Sequence, residues 1–249
     1  MKLSIITACY NSESTVEDTI RSVLSQDYDN IEYIVVDGGS SDRTREIVER
    51  YKDRIQKIIS EKDKGIYDAL NKGIAVAGGE VIGFLHSDDI YANEKVISSI
   101  ASVFKNKVTD SVYADLQYVD KNDTSKVIRY WRSGEYSHGI FKKGWMPPHP
   151  SFFLKKVCYE KFGSFDLRLR SAADYELMLR MLHRHKISTV YFPEVAVKMR
   201  TGGTSNVSLL NRIKANREDK LAWELNGMKP GPFTLLFKPL SKIGQYFKK

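Results

Sequence analysis

Residues 79–91 read GEVIGFLHSDDIY. Val81–Leu85 is an unbroken apolar run that flows directly into His86-Ser87-Asp88-Asp89. A short continuous run of this kind, entered from the Gly78-Gly79 helix stop, reads as a strand buried on both faces, as parallel strands are. Leu3–Ala8, Ile31–Val36 and Ile55–Ser60 have the same β-rich character upstream. Helical patterns stand between them. One opens at Ser14, with Val16, Ile20, Val23 and Leu24 in register. A second runs over about Thr44–Lys52, and a third over Gly65–Ala77 with Ile66, Ala69, Leu70 and Ile74 on one side. Ser14 with Glu17 fits a capping box for the first helix. Strands alternating with such helices predict an α/β fold, Rossmann-like, with a mostly parallel central sheet flanked by helices. Ligands of such sheets sit beyond the carboxyl ends of the strands. Thr7–Asn11, Asp37–Asp42 and Asp88-Asp89 all fall there.

The second half is less regular. Ser111–Asp120 and Lys126–Trp131 alternate like strands of a smaller mixed sheet. Ser133–Ser151 is rich in Gly, Pro and aromatics and reads as a long loop, a type that is often functional. Asp174–Arg184 reads as a helix and Thr189–Val197 as a late strand. Arg200–Asn206 reads as a loop, Leu209–Leu225 as a helix and Pro230–Lys249 as a separate tail.

The chain has 249 residues, 42% hydrophobic and 28% charged, which is globular composition and excludes a disordered or collagen-like chain. Nothing in it is apolar for long enough to predict a membrane-spanning helix. Residues 1–11 read as a first strand rather than a targeting segment. Cys9 and Cys158 lack metal-ligand spacing and read as buried thiols in a reducing compartment. The net charge of +8 conceals an asymmetry. Residues 1–125 hold 15 Lys and Arg against 22 Asp and Glu, whereas residues 126–249 hold 24 against 9. The acidic half suits a cation and the basic half an anion such as a phosphorylated ligand.

Asp88 and Asp89 are adjacent carboxylates at a strand end. They repel unless a cation or a donor group neutralises them. Mg²⁺ or Mn²⁺ held by one or two carboxylates and substrate phosphates supplies that compensation; a first-turn acid on a following helix is the plainer reading. In Asp37-Gly38-Gly39-Ser40-Ser41-Asp42 the glycines admit a ligand close to the backbone and Asp37 can accept from a base or ribose. No dinucleotide fingerprint and no Walker motif occurs. His149, within Pro147-Pro148-His149-Pro150, is a candidate for a diphosphate or an acceptor. Arg200 is a candidate grip on leaving phosphates. Trp131 and Trp145 read as core residues.

Taken in order, SIITACYN (4–11), EYIVVDGGSSDRT (32–44), DKGIYDALNKGI (63–74) and GEVIGFLHSDDIY resemble the family 2 glycosyltransferases, of the bacterial branch that builds cell-surface polysaccharides. The resemblance is strong to about residue 105. It continues more loosely through HPSFFLKKVCYEKFGSFD (149–166) and SAADYELMLRM (171–181) to about 205. It implies a GT-A fold and an inverting transfer from a nucleotide-sugar donor, with UDP-sugars favoured, to a glycan or lipid-linked acceptor. Thr7, Tyr10, Asn11, Asp37, Asp63 and Lys64 would line the nucleotide pocket. Many members have a second aspartate where Gly38 stands here. The family's metal motif falls on HSDD, with His86 in place of its first acid. Asp89 would then be the principal ligand of Mg²⁺ or Mn²⁺, and Asp88 would support it or meet the donor. Asp174 falls on the family's catalytic acid pair, Ala173 replacing the first member, and so stands as the candidate base. The processive Q-x-x-R-W motif is absent.

The expected organisation is one GT-A domain with a nucleotide-sugar half (1–105), an acceptor-side half (106–228) and a basic amphipathic tail (229–249). In residues 233–249, Leu236, Leu240, Ile243 and Phe247 recur at helical spacing beside Lys238, Lys242, Lys248 and Lys249. That pattern predicts weak peripheral contact with an anionic membrane from the cytoplasmic side. A transferase using another nucleotide-activated donor, a catalytically impaired homologue and a basic nucleic-acid-binding domain are the alternatives. The acid clusters at strand ends oppose nucleic acid as a partner.

Overall fold

The computed structural model describes residues 1–202, 209–231 and 234. Its strands are β1 (Leu3–Cys9), β2 (Ile31–Asp37), β3 (Lys57–Ser60), β4 (Val81–Phe84), β5 (Asp89–Tyr91), β6 (Ser111–Val119), β7 (Val127–Trp131), β8 (Phe152–Lys155) and β9 (Thr189–Arg200). Its helices are α1 (Val16–Leu24), α2 (Thr44–Glu49), α3 (Ile66–Val76), α4 (Val96–Asn106), α5 (Lys156–Phe162), α6 (Ala173–Met178) and α7 (Leu209–Leu225). A π-helical stretch, Leu179–Arg184, continues α6.

One sheet runs through both halves in the order β3-β2-β1-β4-β8-β6-β9-β5, with β7 paired to β6. β1, β2, β3 and β4 are mutually parallel. β8 runs antiparallel to both β4 and β6, which returns β6 and its parallel neighbour β9 to the direction of β1. The carboxyl ends of β1, β2, β3, β4, β6 and β9 therefore share one edge.

Ile5, Ile6, Ile34, Val35, Val81, Ile82 and Phe84 are all fully buried, as their continuous apolar runs require. Each such side chain stabilises the fold by roughly 1.5–3 kcal/mol relative to exposure. α3 packs on β1 and β2, and α4 on β6 and β9. Gly73 sets the first of these contacts, since a Cβ there would stand 2.5 Å from Cγ2 of Ile6.

The sheet order, β5, α4, β8 and α5 were not predicted from the sequence. α1 starts at Val16, and Thr15 at its N-cap makes no side-chain capping bond. The capping box is therefore not formed: Glu17 instead binds Arg21 at 2.8 Å and Tyr51 at 2.7 Å. β5, not a helix, follows Asp88, so the first-turn reading of the acid pair falls. β9 extends past Val197 to Arg200 because it pairs β6 on one side and β5 on the other. The 133–151 loop contains two short 3-10 turns, Ile140–Lys143 and His149–Ser151.

Candidate functional site

The loops after β1 and β2 interlock. Asn11 takes a left-handed φ of 47°, which asparagine tolerates. Its Oδ1 accepts from the Ser41 amide at 2.9 Å, and its own amide donates to Ser40 Oγ at 2.9 Å. Asp37 is buried at the end of β2. Its carboxylate accepts from the hydroxyls of Ser40 at 2.5 Å and Ser60 at 2.7 Å. Asp37 thus shapes the loop from beneath. Thr7 is also buried and accepts from the Tyr33 hydroxyl at 3.1 Å. Tyr10, 62% exposed, leaves its ring open to a ligand. Asp63 is half-buried and Lys64 is exposed. Asp63 Oδ1 accepts from the Gly65 amide at 2.8 Å. A Cβ on Gly38 would collide with the Asp63 carboxylate and lie 2.9 Å from its Cγ. The space of the missing second aspartate is filled by Asp63.

The acid pair sits where β4 turns into β5. The Asp89 amide donates to the His86 carbonyl at 3.0 Å, closing the turn. Thr19 Oγ1 on α1 donates to the Asp89 carbonyl at 2.8 Å. Arg200 donates to the Asp88 carbonyl at 2.9 Å and to Asp18 Oδ2 at 2.6 Å. Arg200 is therefore a buried clamp on the acid loop, joined to α1. Asp88 is half-buried, whereas Asp89 is fully buried and neither of its oxygens has a hydrogen-bond partner. Burial, then the charge of Asp88, raises Asp89 well above the usual carboxylate range. The Arg200 backbone and guanidinium oppose this, the amide lying near without reaching hydrogen-bond geometry.

Asp174 lies in the first turn of α6, and its Oδ1 accepts from the Tyr67 hydroxyl at 3.1 Å. Burial, then the Asp174 charge, pushes the Tyr67 phenol far up, so it stays a donor. Tyr67 packs on Phe165, and Phe165 on both Phe84 and His149. His149 and His86 have ring centroids 5.4 Å apart. Burial lowers His149 to about 4, with Asp174 opposing and His86 reinforcing. Burial likewise lowers His86, against the pull of Asp88 and Asp174. His86 Nδ1 and His149 Nε2 are buried without partners. This aromatic box links the acid pair to Asp174 through two neutral imidazoles.

An unpartnered buried carboxylate is costly and calls for a proton or a cation. No group of three His, Cys, Asp or Glu that could hold a metal ion occurs among the described residues. The residues therefore fit a cation held by Asp88 and Asp89 and completed by phosphate oxygens, not an all-protein cage. A groove of about 430 Å³ lined by Asp18, Arg21, Gln26, Tyr91 and Arg200 borders the acid loop but includes neither the acid pair nor Asp174. The 203–208 segment and, apart from Thr234, the tail from 232 onward lie outside the described residues. Tyr67 stood in a recognised motif without an assigned role, and nothing in the sequence marked Asp18.

Residues 4–167 match the family model described as glycosyl transferase family 2. WfgD of Escherichia coli, a UDP-Glc:α-D-GlcNAc-diphosphoundecaprenol β-1,3-glucosyltransferase, is 38% identical over 226 residues, 90% of this chain and 85% of that protein. An uncharacterized glycosyltransferase of Rickettsia typhi is 32% identical over 216 residues, 83% of this chain and 67% of that protein. Residues 1–349 of S. aureus TarS superpose with a TM-score of 0.69 at 20% identity, over 89% of this chain and 65% of that one. The Pyrobaculum calidifontis mannosyltransferase PcManGT, solved with GDP-Man and Mn²⁺, superposes at 0.67 and 18% identity, over 95% and 68%. The fold is GT-A, and the chain is a glycosyltransferase belonging to glycosyl transferase family 2.

Proposed function

We propose that this enzyme is an inverting, metal-dependent transferase. It moves a sugar from a nucleotide-sugar donor to a hydroxyl of a glycan or lipid-linked acceptor in cell-surface polysaccharide biosynthesis. The observation that carries this is the box in which His86, which feels the Asp88 charge, packs on His149, while Asp174 acts on both imidazoles. The acid pair and the base thereby border one reaction space. UDP-sugars are favoured as donors, in keeping with the donor in the name of WfgD and with the UDP-GlcNAc complex of TarS. The diphosphoundecaprenol in the WfgD name supports a lipid-linked acceptor.

Tyr10 stacks on the nucleotide base, and Asp63, seated over Gly38, accepts from base or ribose. Asp37 and Asn11 hold that loop in shape, with Thr7 beneath and Lys64 at the mouth. Asp89, with Asp88 beside it, binds Mg²⁺ or Mn²⁺. A divalent ion held there together with donor phosphates would supply stabilisation of the charge that gathers on the leaving diphosphate. Arg200 fixes the Asp88 backbone. His149 and His86, both neutral, exchange hydrogen bonds with sugar or phosphate. Tyr67 engages Oδ1 of Asp174, and Oδ2 takes the proton of the acceptor hydroxyl as it attacks the anomeric carbon. Direct displacement without a covalent intermediate inverts that carbon. The enzyme works on the cytoplasmic side, with residues 233–249 as a peripheral membrane contact.

Calorimetric titration with UDP and with GDP, with and without Mn²⁺, tests the acid pair. Asp89→Asn should abolish Mn²⁺-dependent nucleotide affinity yet leave the melting temperature equal or higher, because it removes a buried unpaired charge. Unchanged Mn²⁺-dependent UDP affinity in that variant would sink the assignment.

A further inference from the structure

α7 stands outside every motif, yet it holds the chain at the entrance to α6. Glu218 Oε2 accepts from three consecutive backbone amides, Arg170 at 3.1 Å, Ser171 at 2.7 Å and Ala172 at 3.0 Å. It also accepts from the Ser171 hydroxyl at 2.9 Å. These residues lead directly into α6, whose N-cap is Ala172 and whose first turn carries Asp174. None of the three has a side chain that caps this end of the helix, and the N-cap makes no side-chain capping bond. A carboxylate from a distant element supplies the acceptor, and a negative charge there also suits the positive end of the helix dipole.

Two further links tie the same helices. Trp223 Nε1 donates to the Tyr175 hydroxyl at 2.9 Å, and Asn226 Nδ2 donates to Glu176 Oε1 at 2.9 Å. Glu176 in turn pairs with Arg180 at 2.9 Å, and Arg180 donates to the carbonyls of Phe162, Gly163 and Ser164. The body of α6 is thus fixed from two sides. The 170–172 backbone that leads into its first turn is held by Glu218. The Glu218 charge also reaches the Tyr67 phenol that binds Asp174.

We infer that Glu218 is a positioning residue for the transfer reaction: its carboxylate grips the 170–172 backbone and so sets where Asp174 stands against the acceptor hydroxyl. This rests on Asp174 being the general base. Glu218 touches neither donor nor acceptor in this assignment, so its loss should act on turnover and spare donor binding. A displaced base costs about 10- to 100-fold in rate, since misplacement by an ångström is enough to lose that much. Gln at 218 keeps a carbonyl that can accept the same amides but loses the charge. It should restore part of what Ala loses.

The test compares Glu218→Ala, Glu218→Gln, Asp174→Asn and Asn226→Ala in the full chain. Donor consumption is measured with UDP-glucose, UDP-GlcNAc and GDP-mannose, alongside donor affinity and amide hydrogen exchange. Expected are faster exchange at residues 170–172 in Glu218→Ala and a turnover loss of about 10- to 100-fold at unchanged donor affinity. Glu218→Gln should lie between Ala and wild type. Asn226→Ala should lower the melting temperature without the turnover loss. Retained protection of the 170–172 amides in Glu218→Ala, or full turnover in Glu218→Ala while Asp174→Asn is inert, would overturn the inference. Normal turnover in Asp174→Asn would instead remove the base assignment itself, and the positioning role with it. Should Glu218→Ala fail to fold, Glu218→Gln carries both readouts.

Discussion

Gly38 and Asp63 bear on which carboxylate serves the proposed nucleotide pocket. Position 38 follows Asp37 at the end of β2, and a Cβ there would meet the Asp63 carboxylate. Asp37 spends its oxygens on Ser40 and Ser60, which is why the nucleotide is proposed to fall to Asp63. Gly38→Ala should push Asp63 out of place. The loss is that of one hydrogen bond to a charged group, about 1.5–3 kcal/mol, or roughly 10- to 100-fold in UDP affinity. Titration with UDP reads it directly, and an unchanged dissociation constant would return the role to Asp37. The sequence carried the motif but not this exchange. Gly38 was visible as a departure, while its contact with a residue 25 positions away was not.

At the scale of elements, the end of the sheet away from the site is tied by a buried acid. Glu32 on β2 accepts from Ser4 on β1 at 2.5 Å and from the Gly78 amide at 2.6 Å. It also pairs with Lys2 and with Lys57 of β3, each at 3.2 Å. Burial alone would raise its pKa; the bonds from Ser4, Gly78, Lys2 and Lys57 outweigh burial and bring it to about 2. A carboxylate depressed in the fold contributes stability above its unfolded pKa and loses it as pH falls toward the folded value. The window runs from about 4.3 down to about 2, and the contribution at neutral pH is on the order of 3 kcal/mol. Glu32→Gln should be less stable at pH 7 and should lose less stability between pH 5 and pH 3. Denaturant titrations at the three pH values check this; parallel losses in both proteins would show that Glu32 is not the group titrating. β2 was legible as an apolar run, but the role of Glu32 was not, because its partners come from three other segments.

At the scale of the whole molecule, the tail bears on where the enzyme works. Thr234 is buried and donates to the Lys142 carbonyl at 2.7 Å, so the chain is still docked on the 140–143 turn at that point. The proposed membrane contact then falls to the lysine-bearing sequence beyond it, to 249. Each lysine near an anionic surface contributes about 1 kcal/mol, so binding should be weak and salt-sensitive. Flotation with anionic liposomes should recover the full chain at low salt and not a chain ending at Gly231. Equal, salt-independent partitioning of the two would refute the tail's role. The amino-acid sequence by itself determined the α/β class, the first four strands and the order of the motifs. It could do so because buried parallel strands write themselves as local apolar runs, and the polar residues that end them follow directly in the chain. Only the tertiary structure decided that β8 runs against its neighbours and that β9 reaches Arg200. Only it showed Asp89 buried and unpartnered, His86 and His149 joined in one box with Asp174, and Glu218 at the mouth of α6. Those facts depend on contacts between segments tens of residues apart, and such contacts leave no period or spacing in the chain to read.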